Sequence, residues 1–198
     1  QMRLFQGISQ IIIESTRNVV DMINSLLTRG RQNTSEKKEV INLNQFIQKE
    51  MVFLESNLYF KTKVRKNTLF CEENIFIDAI PTMISQIFQN LVKNAIDAMH
   101  ESDTPEVSIK TGLNNDKVWI SITDNGTGIE PHLLDKIFDP FFSTKSDVST
   151  TTDKSPTGTG LGLFICKEMI ETNNGSIAVQ SNLGQGTTFT VFFNNYEQ

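Results

Sequence analysis

Three side-chain amides share one face of a predicted helix. Gln86, Asn90 and Asn94 are spaced four residues apart, among apolar residues that repeat with a helical period over 82–99. Because asparagine disfavours helices, two of them in one apolar helix indicate a specific role. The amides could hydrogen-bond a neighbouring loop, or their carbonyl oxygens could face a hard cation such as Mg²⁺ beside phosphate oxygens.

Two glycine-rich segments could bring the backbone close to a ligand. Residues 124–129 (Asp-Asn-Gly-Thr-Gly-Ile) follow a predicted strand and could be a simple turn. Alternatively, their two glycines admit a flat ligand while Asp124 accepts a hydrogen bond from an exocyclic amine. Residues 158–163 (Gly-Thr-Gly-Leu-Gly-Leu) precede a predicted helix, where free N–H groups and the helix dipole favour an anion. This segment lacks the Gly-Lys ending of an ordinary P-loop.

Three phenylalanines surround a proline between the two glycine segments. They occur in the run Phe138-Asp-Pro-Phe-Phe-Ser-Thr-Lys145 and could simply fill the core. Lys145, directly behind them, is placed to act as a counter-ion for phosphate. The Ser/Thr/Asp tract at 146–157 is the one low-complexity segment in the sequence and predicts a mobile loop.

The remaining pattern predicts the elements that must position these residues. Extended segments are predicted at 40–43, 62–70, 75–79, 106–111, 117–123, 176–180 and 187–193. Helices are predicted at 44–56, 82–99 and 160–172. Mixed strands, hairpins and helices indicate an α+β fold, a two-layer α/β sandwich in which helices cover one face of a mixed sheet.

A long helix is predicted to precede this sandwich, over residues 1–30. Its apolar stripe, which includes Phe5, Ile12 and Leu26, is too wide for a two-stranded seam and needs partner helices. The sequence contains no second helix of matching length, which indicates either an oligomer or a shortened chain. The polar segment 31–39 predicts a linker, and 40–198 is then the second domain.

The net charge, the cysteine count and the length of the apolar runs limit which partners and which cellular compartment fit this sequence. The 18 Lys and Arg against 23 Asp and Glu give a formal net charge of −5, which argues against a non-specific nucleic-acid binder. Cys71 and Cys166 are too few for a disulfide framework and suit a reducing compartment. No apolar run approaches the ~20 residues that cross a bilayer. We expect a cytoplasmic chain, whose parent could still be anchored in the inner membrane.

Taken together, the four clusters form an ordered set of motifs. In chain order they are Asn90…Asn94, Asp124-x-Gly126-x-Gly128, Phe138-x-Pro-Phe141 and Gly158-x-Gly160-x-Gly162. This set resembles the N, G1, F and G2 boxes in the ATP-binding domain of sensor histidine kinases, a fold shared with DNA gyrase, heat-shock-90 chaperones and the mismatch-repair ATPase. The resemblance covers roughly 40–195, and residues 1–30 resemble the second helix of the kinases' dimerisation bundle.

The resemblance implies a role for each matched residue. Asn94 would coordinate Mg²⁺, and the catalytic residues would be Asn90 at the triphosphate, with Lys93 and Lys145 at phosphate. Asp124 would accept a hydrogen bond from the adenine amino group. The base would also contact Gly126, Gly128, Ile129, Phe138, Leu163 and Thr187. The phosphates would be held by the backbone of Thr159, Gly160, Leu161 and Gly162, with 143–160 as a lid.

The implied function is that of a histidine kinase using ATP and Mg²⁺. The γ-phosphoryl would pass to a histidine of the dimerisation helix in a homodimer, and then to an aspartate of a response regulator receiver domain. His100 and His132 both lie off the bundle-like helix. We therefore expect the acceptor helix either to precede this sequence or to have been lost by the parent, and we expect no autophosphorylation by this chain alone.

Two other functions stay open on the sequence. One is a gyrase-like or chaperone-like ATPase, and the other is a non-catalytic nucleotide-binding module that docks partners. The related hydrolases carry a water-activating glutamate one turn before the metal asparagine, whereas Asn90 occupies that position here and cannot take a proton. The intact set of motifs disfavours a degenerate docking module.

Overall fold

The computed structural model describes residues 37–144 and 159–196. The predicted helix over 1–30, residues 31–36 of the linker, Lys145, the tract at 146–157 and Gly158 lie outside the described residues, and the predictions made for them stay untested. No helix in the described ranges is long and apolar enough to cross a membrane.

Seven strands are present in the described part of the chain. They are β1 (Glu39–Asn42), β2 (Arg65–Leu69), β3 (Phe76–Ala79), β4 (Glu106–Asn114), β5 (Lys117–Asp124), β6 (Ser176–Asn182) and β7 (Gly186–Asn194). Five of them form a sheet in the order β2-β4-β5-β7-β6, with β2 parallel to β4 and the other neighbours antiparallel. β1 and β3 form a separate antiparallel pair. The mixed sheet confirms the predicted α+β fold.

Helices pack on one face of this sheet. They are α1 (Leu43–Leu54), α2 (Leu58–Thr62), α3 (Pro81–Ala98) and α4 (Gly162–Thr172). Pro81 suits the first turn of α3 because its missing N–H would have no partner there. The apolar face of α3 is buried through Met83, Ile84, Ile87, Phe88, Leu91, Val92 and Ala95. It forms one core with the inward residues of the sheet, such as Ile109, Ile122 and Val191.

The prediction of an extended segment over 62–70 was wrong at its start, because Thr62 ends helix α2. The side chain of Asn57 accepts a hydrogen bond from the backbone N–H of Phe60 at 3.1 Å, which caps this short helix. Phe60 is fully buried, so α2 is held by its single core residue as well as by its cap. The strand itself begins only at Arg65.

A buried asparagine joins the ends of α3 and α4. The side-chain oxygen of Asn173 accepts a hydrogen bond from the backbone N–H of Ile80 at 2.8 Å, directly before α3. Its amide nitrogen donates to the carbonyl of Met169 at 2.8 Å and contacts the sulfur of Met83 at 3.5 Å. Because α3 lacks any other side-chain cap, Asn173 fixes the start of this helix.

Asn173→Ala is expected to lower the free energy of unfolding by about 2 kcal/mol, because the N–H of Ile80 would lose its acceptor inside the core. Urea denaturation monitored by circular dichroism measures this change. Asn114→Ala is the matched control, since Asn114 is exposed at the far end of β4. Equal stability of the two variants would contradict the assigned capping role.

Candidate functional site

The predicted amide face lies on α3, close to α4. Asn90 and Asn94 are both half-buried, whereas Lys93 is exposed. The side chain of Asn90 hydrogen-bonds the thiol of Cys166 on α4. Among the described residues, none hydrogen-bonds the side chain of Asn94, so its carbonyl oxygen is available to a ligand. The alternative of a helix-to-loop hydrogen bond therefore finds no support at Asn94 within this part of the chain.

Cys166 is a core side chain behind the amide face. Burial raises the pKa of its thiol to about 12, and the hydrogen bond with Asn90 offsets only part of this effect. The protonated thiol lies 3.9 Å from the carbonyl oxygen of Ile87, to which it donates. Cys166 thus supports Asn90 from inside the α3–α4 interface.

Asp124 ends β5 as a buried carboxylate, only 5% exposed. Its Oδ1 accepts hydrogen bonds from the backbone N–H groups of Gly126 at 2.8 Å and Thr187 at 3.3 Å. Within the described residues no hydrogen bond reaches Oδ2, which is therefore an acceptor in need of a donor. Burial raises the pKa of Asp124 to about 6, although the two backbone hydrogen bonds act in the opposite direction.

The glycines after Asp124 allow close contacts within the protein. A Cβ on Gly126 would lie 2.5 Å from the carbonyl oxygen of Ala98, the last residue of α3. A Cβ on Gly128, which has φ +71°, would overlap the carbonyl oxygen of Asn182 at the end of β6. These glycines therefore let one loop touch both α3 and the β6–β7 turn. Their predicted contact with the base stays a prediction.

Asn125, between Asp124 and the first glycine, has a positioning role that the sequence reasoning missed. Its side-chain oxygen accepts a hydrogen bond from the N–H of Glu106, and its nitrogen donates to the carbonyl of Thr104, both at 2.9 Å. These bonds hold the connection between α3 and β4 against the end of β5. This role could have been predicted from the sequence, because asparagine side chains in turns often hydrogen-bond the nearby backbone.

The phenylalanine run meets the second glycine segment. Gly160 has φ +67°, and a Cβ there would overlap the carbonyl carbon of Phe141, itself at φ +65°. α4 begins beside this contact at Gly162, and Leu161 makes no side-chain cap there. The start of a helix favours an anion because its dipole is positive at that end. Thr159 Oγ1 accepts from the N–H of Leu161 at 3.3 Å. Phe138 and Leu163 are half-buried against the core, and their predicted contact with the base stays a prediction.

Ser181 is a second residue that the sequence reasoning missed. Its hydroxyl accepts from the N–H of Ile129 at 2.8 Å and lies 2.9 Å from both the carbonyl oxygen of Gly186 and Oγ1 of Thr187. It therefore connects the loop after β5 with the start of β7. The sequence could have indicated this residue, because Ser181 is a polar residue in the alternating series with Ile177 and Val179 that faces inward on β6.

Residues 79–197 match the family described as histidine kinase-, DNA gyrase B-, and HSP90-like ATPases. Among curated proteins, sensor protein kinase WalK of Staphylococcus haemolyticus is 34% identical over 181 residues, which cover 90% of this chain and 29% of that protein. The chain thus spans less than a third of the length of this relative.

Two solved structures are similar in fold and sequence. The catalytic domain of histidine kinase ThkA matches with a TM-score of 0.65 and 30% identity, over 80% of this chain and 95% of that one. ThkA in complex with response regulator protein TrrA matches with a TM-score of 0.67 and 25% identity, over 93% of this chain and 51% of that one. The four ordered motifs agree with these matches.

Proposed function

Because this chain belongs to the family of histidine kinase-, DNA gyrase B- and HSP90-like ATPases and carries a histidine kinase catalytic domain, we propose that it binds Mg-ATP for phosphoryl transfer within a sensor kinase. In the parent protein, the γ-phosphoryl passes to a histidine of the dimerisation helix and then to an aspartate of a response regulator. Residues 1–30, the predicted bundle helix, contain no histidine.

The observation that carries this proposal is the buried carboxylate of Asp124. A buried acceptor oxygen without a donor is costly, and Oδ2 is such an atom among the described residues. The exocyclic amino group of adenine supplies an N–H donor of the required kind. Thr187 lies beside Oδ1 and extends this acceptor surface, and Ile129 belongs to the adjoining loop.

The residues on α3 fit a magnesium ion held partly by the nucleotide. The described residues contain no group of three or more His, Cys, Asp and Glu able to hold a metal ion, so an all-protein site is absent there. Mg²⁺ commonly keeps few protein ligands and takes phosphate oxygens. The free side-chain oxygen of Asn94 suits that role, and a bound Mg²⁺ would neutralise charge on the transferring phosphoryl.

The phosphates are expected at the uncapped start of α4. We expect the backbone of Gly160, Leu161 and Gly162, at the positively polarised start of α4, to hold them. Thr159 precedes this turn, and Lys93 and Lys145 are the proposed cationic partners. Most of the catalytic effect in such transfers comes from positioning and charge neutralisation, which these groups supply.

Asn90 favours phosphotransfer over hydrolysis. It hydrogen-bonds the thiol of Cys166, and its amide cannot remove a proton from water. We therefore expect slow ATP hydrolysis by this chain, in contrast to a gyrase-like or chaperone-like ATPase. Measurable steady-state turnover by the chain alone would favour the ATPase function instead.

The partners follow from the same proposal. The related ThkA was solved in complex with a response regulator, which supports a receiver domain as the phosphoryl acceptor of the parent. Residues 1–30 are proposed as a dimerisation helix of a homodimer, joined by the linker 31–39 to the kinase domain 40–198. Membrane anchoring of the parent is also part of the proposal.

Asn94→Ala is expected to remove the magnesium dependence of nucleotide binding, because it deletes the proposed protein ligand. Titration calorimetry with ADP and ATP, each with Mg²⁺ and with EDTA, measures the difference. Asn94→Asp is the matched variant, since it keeps an oxygen ligand and should retain magnesium-dependent binding. An Asn94→Ala protein with an unchanged magnesium effect would exclude Asn94 as the ligand, and a wild type without nucleotide affinity would overturn the proposed function.

A further inference from the structure

We propose that Ser181 sets the preference of this site for adenine over 6-oxopurine bases by fixing the direction of the Thr187 hydroxyl. The inference rests on the proposed adenine-nucleotide function and goes beyond it, because it assigns specificity to a residue outside the recognised motifs. Ser181 is a positioning residue here, acting through Thr187.

Three contacts converge on the Ser181 hydroxyl. The N–H of Ile129 donates to Oγ at 2.8 Å. The carbonyl oxygen of Gly186 and Oγ1 of Thr187 each lie 2.9 Å from the same Oγ. The three partners come from the loop after β5 and from the start of β7, so the hydroxyl sits where these segments meet.

A count of protons gives the direction of each hydrogen bond. A serine hydroxyl has one proton and can accept from two donors. The carbonyl oxygen of Gly186 can only accept a hydrogen bond. The Ser181 hydroxyl therefore donates its single proton to Gly186. The contact with Thr187 must then run from the threonine hydroxyl to Ser181. The single proton of Thr187 therefore points at Ser181.

This direction leaves acceptors on two neighbouring residues of the proposed base site, since the N–H of Thr187 also donates to Asp124 Oδ1 at 3.3 Å. Thr187 Oγ1 presents only lone pairs to a ligand, and Asp124 Oδ2 does the same. Adenine offers an amino group at position 6, whereas inosine offers a carbonyl oxygen there. Two facing acceptors accept from the amino group and repel the carbonyl. The same pocket would tolerate a carbonyl if the Thr187 hydroxyl were free to rotate and donate.

The surrounding packing holds Ser181 in place. The N–H of Gly184 donates to the carbonyl of Thr127 at 2.7 Å, which ties the β6–β7 turn to the same loop. Thr187 is only 4% exposed, so bulk water has little access to reorient its hydroxyl. The hydroxyl direction is thus set by Ser181 and persists when a ligand excludes the remaining solvent.

The test compares the affinities of Mg-ADP and Mg-IDP in the full chain by titration calorimetry. Ser181→Ala keeps the space but removes the acceptor, so we expect the ADP:IDP affinity ratio to fall about tenfold, mainly through tighter IDP binding. Ser176→Ala, an exposed serine on the same strand, should leave the ratio unchanged. In a Thr187→Val background, Ser181→Ala should not alter the ratio, because no threonine hydroxyl remains to be directed.

Three results would overturn the inference. An unchanged ADP:IDP affinity ratio in Ser181→Ala, whether or not both affinities fall equally, would remove its role in specificity and leave it merely structural. A ratio that still falls in the Thr187→Val background would show that Thr187 is not the intermediary. A wild type that binds ADP no better than IDP would overturn the adenine function itself, and that outcome is distinct because it appears before any substitution.

Discussion

Replacing Asp124 by asparagine is expected to weaken adenine-nucleotide binding strongly and, at the same time, to stabilise the ligand-free protein. The asparagine oxygen can still accept from the N–H groups of Gly126 and Thr187. Its amide nitrogen would take the place of Oδ2 and present a donor to the amino group of adenine. Two opposed donors should weaken ADP binding by about a hundredfold or more, which titration calorimetry measures.

The gain in stability follows from the ionisation of Asp124. Its pKa rises from 3.8 to about 6 on folding because burial disfavours the carboxylate. The folded protein binds this proton more tightly than the unfolded chain does. Its free energy of unfolding therefore falls as the pH rises from 3.8 to about 6, and no further loss occurs above that pH. A pKa change of this size corresponds to roughly 3 kcal/mol, which asparagine avoids.

Urea denaturation at two pH values tests this expectation. The Asp124→Asn variant should exceed the wild type in free energy of unfolding by about 3 kcal/mol near pH 7.5 and by about half as much near pH 5. Glu130→Gln is a suitable control because this exposed carboxylate should show no such gain. A variant that is less stable than the wild type near pH 7.5 would show that the carboxylate is not the costly group.

The second large effect is expected for Gly186→Ala. Gly186 has φ +94°, and a Cβ there would overlap the carbonyl oxygen of Asp124. Backbone cannot yield as a side chain can, so β7 would have to move away from the end of β5. We expect a loss of more than about 3 kcal/mol in the free energy of unfolding. Nucleotide binding should be lost as well, because Thr187 and Asp124 would separate.

Gly184→Ala provides the control within the same turn. Gly184 also has a positive φ, +75°, but a Cβ there would meet no atom within 4 Å. The cost should therefore be the conformational strain alone, about 1–2 kcal/mol. Thermal and urea unfolding of both variants separate strain from overlap, and equal losses would refute the close contact between Gly186 and Asp124.

The sequence predicted the fold and the order of the motifs because both depend on local pattern. A helical repeat of apolar residues over 82–99 and an alternation of apolar and polar residues over 117–123 can each be recognised in a short stretch of sequence. Helix α3 and strand β5 confirm both. The start of β2 was misplaced because the preceding helix α2, capped by Asn57, is too short to show a helical period. The α+β assignment did not depend on that segment.

The arrangement around the site could not be predicted in the same way. Ser181 bonds Ile129, which is 52 residues away in sequence, and Asp124 bonds Thr187, which is 63 residues away. Such contacts depend on strand register, which no local pattern contains. The glycines illustrate the same gap, because the close approach of Gly126 to Ala98 and of Gly128 to Asn182 appears only in the fold, while their expected contact with a ligand stays a prediction.

The place of β7 in the sheet has a consequence for biosynthesis. β7 is the last of the described strands, yet it lies between β5 and β6 and pairs residues as distant as Lys117 and Asn194. Until the ribosome has released this strand, the growing polypeptide carries two unpaired sheet edges that invite aggregation. The domain is therefore expected to complete its folding only after residue 194 has been made, slowly for its size, and with a need for protection by chaperones until then.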